Sequence, residues 1–107
     1  MDFTVNTGGF ISLEIAAQMT ASHRNSMQEG GLISLSIGSN LILPILEQPG
    51  CVGLRMYKAI NESGNEDMVL VGVDSNGDDM SSGLIADRMI PCPMVCPSKS
   101  LLNSKGE

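Results

Sequence analysis

The sequence predicts an α+β fold in which N-terminal helices pack on a small three-stranded antiparallel β-meander. Three observations carry that prediction. A helical period runs through residues 12–27, two runs of alternating apolar residues follow Gln48, and turn signals close both runs. At 107 residues the chain is long enough for one modest core. The expected organisation is one domain over residues 1–97 and a disordered tail over 98–107.

Residues 1–9 are polar and carry Gly8-Gly9, which suits an arm, with Phe3 and Val5 alternating weakly enough to add a short strand. Ser12 is the expected N-cap of the first helix, and Glu14 in its first turn suits the positive end of the helix dipole. Leu13, Ala16, Ala17 and Thr20 form its apolar stripe, widened by Ile15 and Met19. After Gly30-Gly31, residues 32–48 are apolar around more than one helical face. Pro44 disfavours a continuous helix, so this stretch is either one kinked helix or two segments broken near Ser39-Asn40. Pro49-Gly50 then turns the chain into the sheet.

In CVGLRMYKAI, Val52, Leu54 and Met56 alternate with Cys51, Gly53, Arg55 and Tyr57. In DMVLVGVD, Val69, Val71 and Val73 alternate with Met68, Leu70 and Gly72, so this run is apolar on both sides and suits a central strand. NESGNE closes the hairpin between them, Asn76-Gly77 marks a second turn, and residues 78–87 return as a third strand around Leu84, Ile85 and Ala86. The helices are expected to cover the valine face. That leaves Gly53, Arg55, Tyr57, Met68, Leu70 and Gly72 on an uncovered face, of which Arg55, Tyr57, Met68 and Leu70 are the predicted interface. From residue 88 to Pro97 the prolines predict irregular chain.

Six Lys and Arg stand against twelve Asp and Glu, a net charge of −6, which excludes nucleic acid as a primary ligand and disfavours anionic membranes. The uncharged stretch Gly30 to Leu46 falls short of the roughly 20 residues of a spanning helix and is read as buried. The N-terminus lacks a secretory pattern, so a cytoplasmic location is expected.

The three cysteines are the main candidates for chemistry. Cys51, Cys92 and Cys96, with or without the single His23, offer soft ligands for zinc or an iron-sulfur cluster, although C-x-x-x-C with distant partners is a loose pattern. The alternatives are plain buried thiols or a Cys92–Cys96 disulfide, which a reducing compartment disfavours. His23 beside Arg24 suits a solvated helix end, and one histidine leaves little room for acid-base enzymology. DSNGDD has the oxygen ligands of a calcium loop but neither its glycine nor its glutamate spacing, so an acidic turn is expected. Arg55 is expected to pair across strands with Asp67 or Asp74. No phosphate-binding glycine motif occurs.

QPGCVGLRMY, MVLVGVDSNGDDM and PCPMVC, in that order after a helix beginning ISLEIA, resemble a family of short uncharacterised bacterial proteins over about Ile11 to Cys96. The resemblance implies no activity. Gly53-Leu54-Arg55 and the late pair Cys92 and Cys96 are also similar in layout to the A-type iron-sulfur carriers. Those close with Cys-Gly-Cys and place their other cysteine after the Gly-Leu-Arg strand, whereas Cys51 precedes it. The functional expectation is a non-enzymatic protein-interaction or assembly module forming homo-oligomers, without cofactor. The alternative is a cysteine-based metal or iron-sulfur carrier.

Overall fold

The computed structural model describes residues 2–93 and 95–103. The elements are α1 (Leu13–Ser26), β1 (Ser34–Ser36), α2 (Ser39–Leu46), β2 (Cys51–Ile60), β3 (Glu66–Asp74), β4 (Ile85–Ala86), β5 (Ile90–Cys92) and a closing 3-10 helix (Leu101–Asn103). Helices and antiparallel strands together make this an α+β protein. The chain divides into two compact units: the residues up to Gly8 with Ser36–Met89, and Gly9–Leu35 with the residues from Ile90 onward.

The first unit holds the predicted meander, in the order β2-β3-β4 with the valine strand central. Its register decides which side chains share a face. Arg55 stands opposite Val71, Tyr57 opposite Val69, Leu54 opposite Gly72 and Met56 opposite Leu70. Residues directly opposite share a face, so Arg55 and Tyr57 lie with the valines, and Leu54 and Met56 lie with Met68 and Leu70. The sequence reading grouped them the other way. Cross-strand parity is set by the turn, not by either strand: a loop one residue longer or shorter would exchange the faces. Here Asn61 N–H donates to Asn65 O at 2.8 Å, while the Asn61 side-chain oxygen accepts from the Ser63 and Asn65 amides, which fixes the loop length. A bulge between Cys51 and Gly53 then puts Cys51 opposite Asp74, on the side away from the valines.

The helix that packs on this sheet is α2, and it packs on the Leu70 face. Ile45, Leu70 and Ala86 form the buried cluster, with Ile37, Ile42, Leu54, Met68 and Met89 against it. Gln48, just past α2, fastens the helix end: its side chain donates to Ile45 O at 2.8 Å and accepts from Leu84 N–H at 2.9 Å. Pro44 falls inside α2, which therefore lacks one internal amide donor at a position where Asn40 is open to water.

In the second unit, α1 begins as expected, with Ser12 Oγ accepting from Ile15 N–H at 3.2 Å. No residue of α1 is buried. Its contacts run to the 3-10 helix, and Arg24 donates to Leu102 O at 2.5 Å. Residues 101–103, expected to be disordered, are therefore helical and held to α1 within this unit; residues 104–107 of that expectation lie outside the described residues.

β1 pairs with β5 in a two-stranded sheet, and Ile33 N–H donates to Cys92 O at 2.7 Å. Both strands depart from expectation. Ile33, Leu35 and Ile37 are half-buried while Ser34 and Ser36 are exposed, a period of two inside a stretch read as helical. Pro91 sits inside β5 because a two-stranded ribbon leaves one side of each strand unpaired, where a missing amide donor is tolerated.

Candidate functional site

On the valine face, β3 contributes Val71 and Val73, both buried, the latter at 0% exposure. Within this unit α2 lies on the opposite face, and the valine face carries side chains of β2, of the loop after β3 and of the N-terminal arm. Arg55 donates from Nη1 to Asp79 Oδ1 at 2.6 Å and to Gly77 O at 3.1 Å. The Tyr57 hydroxyl donates to Asp79 Oδ2. The carboxylate thus joins two β2 side chains to the loop that follows β3, where Asp79 bridges Val73. Neither Asp67 nor Asp74, the partners expected for Arg55, takes part. Asp67 accepts from the Met68 and Met89 amides, and Asp74 accepts from those of Asn76 and Asp78, which makes DSNGDD an acidic turn held by its own carboxylate.

The electrostatics follow from these bonds. The Tyr57 hydroxyl and then the Arg55 guanidinium hold the Asp79 carboxyl below its ordinary value, because both favour the charged form. The same bond to Asp79 raises Tyr57, with desolvation adding to it. Arg55 is raised by Asp79 and remains a cation. The group is therefore a closed ion pair with a phenol attached, and its charges are answered internally.

Phe3 completes the face. A Cβ placed on Gly53 would lie 2.6 Å from Phe3 Cζ, so only glycine admits the ring there. The Arg55 guanidinium stands 6.0 Å from the ring centroid. Beside it an open polar hollow is lined by Asp2, Thr4, Arg55, Ser75 and Asn76. Past this polar cluster the face turns apolar: Tyr57 is 47% exposed, Val69 is half-buried, and Ile85, opposite Val71, is 55% exposed.

The four predicted interface residues are therefore divided between two surfaces. Arg55 and Tyr57 belong to the valine face. Leu70, at 3% exposure, is core beneath α2, and Met68, half-buried, packs against that core from the same face. Sequence pattern alone puts Asp79 in an acidic turn and Ile85 in a third strand without joining either to Arg55 and Tyr57. It puts Gly53 on their face, but not Phe3 against it, although a glycine inside a strand is a signal of close approach.

The predicted metal ligands divide too. Cys92 and Cys96 are joined in a disulfide, contrary to what a reducing compartment favours, so those sulfurs have no thiolate to offer while the bond stands. Cys51 is free, belongs to the other unit, and donates weakly to Gly53 O at 3.3 Å. Among the described residues no group of three or more His, Cys, Asp or Glu side chains converges on a metal-sized site. His23 stands exposed in the last turn of α1. No helix among the described residues is long and apolar enough to cross a membrane.

Comparison with family models, curated proteins and solved structures finds no match for this chain.

Proposed function

We propose that this chain is a non-enzymatic interaction module that assembles with copies of itself through the valine face of its sheet. The observation that supports the reading is the patch of Tyr57, Val69 and Ile85, exposed or half-exposed side chains on a sheet face that carries no helix of its own unit. An aromatic and branched aliphatics beside a fixed ion pair match the composition of a contact centre with a polar rim. Kinship with the short bacterial proteins that its segments resemble belongs to the same proposal and adds no activity to it. Binding of nucleic acid is opposed by the net charge of −6.

Light scattering at micromolar concentration tests the reading: the chain should run as a dimer or larger species, and Ile85→Glu should return it to monomer with its fold intact. A monomer at every concentration would remove it. Location in the cytoplasm is part of the proposal under one condition, that the Cys92–Cys96 bond is transient or redox-sensing there. The carrier alternative requires the reduced pair, and elemental analysis of protein purified without oxygen would have to return stoichiometric zinc or iron.

A further inference from the structure

Among the described residues of the N-terminal arm, one side chain is lodged in the sheet. Of residues 2–9 only Phe3 is half-buried, and the rest are exposed. Among the described residues, the arm's hydrogen bonds are internal: Thr4 N–H to Thr7 Oγ1 at 2.9 Å, Asn6 N–H to Thr4 Oγ1 at 3.1 Å and Thr7 N–H to Thr4 O at 3.1 Å. These make a self-contained turn that needs nothing from the sheet. The boundary between the two compact units then falls between Gly8 and Gly9. Gly8 has φ +106, a left-handed conformation, and neither glycine has any atom within 4 Å of the space a Cβ would take. A prefolded arm with one anchor thus ends in a pivot.

We propose that the arm is exchanged between copies, with Phe3 of one chain seated in the Gly53 notch of another. The inference rests on the assembly reading above and names its mechanism. Every copy carries the same ring and the same notch, so exchange reproduces each contact of the unexchanged arm, at the cost of turning the pivot and of bringing two chains together. The notch lies on the proposed contact face, since Gly53 stands opposite Val73 and on the same side as Arg55 and Tyr57. The stretch from Phe3 to Gly8 reaches at most roughly 17 Å when extended, so exchange requires the close approach that pairing through that face would bring.

Two variants test this against each other. Phe3→Ala keeps the notch and loses the ring; Gly53→Ala keeps the ring and fills the notch. Neither chain can seat its own arm, so in a mixture the contact can form only from the Gly53→Ala ring into the Phe3→Ala notch. Native mass spectrometry of the mixture, with one chain isotopically labelled, should show heterodimer several-fold above the binomial expectation, while each variant alone associates at least tenfold more weakly than wild type. A heterodimer at the binomial level overturns the proposal. So does stronger association of Phe3→Ala, which would make the arm a cover over the face. If wild type and both variants dimerise equally, the exchange falls and the assembly reading stands; a monomeric wild type removes both. Urea unfolding of each variant, expected to remain a single transition, separates a lost contact from a lost fold.

Discussion

On one face of the β2-β3-β4 sheet, Leu54, Leu70 and Ala86 meet Ile45 of α2; on the other, Val71 and Val73 are flanked by Phe3, Arg55, Tyr57 and Asp79. The same central strand supplies both faces, yet they are closed by different physics. The α2 face is sealed by area removed from water, which does not depend on protonation. The valine face is capped by a charge-assisted pair whose worth depends on protonation and whose members are partly exposed. A sheet with one dry face and one tied-down polar face keeps its fold through the first and carries its titrating groups on the second.

Substitution at Leu70 attacks the dry face directly. Leu70→Ala should cost about 2–5 kcal/mol in urea unfolding, because it opens a cavity beneath α2 that a small domain fills poorly. An effect under about 1 kcal/mol would mean that α2 does not seal this face. Gln48→Ala comes next. It removes two hydrogen bonds that pin the helix end to Leu84, each worth about 0.5–1.5 kcal/mol.

The polar face should show itself in pH. Asp79 is depressed, so its contribution is full above about pH 3.9 and is lost as pH falls through the lower folded value. Tyr57 is raised, so its contribution is full below about pH 10 and is lost as pH rises through the higher folded value. Tyr57 is the single tyrosine and there is no tryptophan, which makes phenolate absorbance a direct readout. Asp79→Asn should move that titration down toward the ordinary phenol value, and an unmoved titration would break the bond assignment. The smallest stability effect is expected at Ile85→Glu, within about 0.5 kcal/mol, since an exposed side chain contributes little to its own fold. The same substitution should have the largest effect on assembly, and that contrast sharpens the division between the faces.

Much of this was legible in the chain. Ser12 announces α1, the alternating valines announce a central strand, and Asn76-Gly77 announces the turn after it. Other signals were present and overridden by stronger ones: the ISLSI alternation lies inside a long apolar stretch that reads as helix, and Pro91 sits in a short ribbon whose unpaired side accepts it. The candidate site was half legible, since Arg55 and Tyr57 stand out on their strand. Their partner Asp79 lies 24 residues from Arg55, and no local pattern specifies which face of β2 meets the turn that carries it.

Local chemistry in the sequence determined which segments alternate, where helices begin, and that β3 would be apolar on both sides, because propensity and periodicity act over a few neighbouring residues. Tertiary structure decided which side faces α2, that Arg55 and Tyr57 share a surface with the valines, and that Leu70 is core. Those outcomes depend on the parity of a hairpin loop. Shifting it by one residue would leave each strand's pattern intact and exchange what it meets.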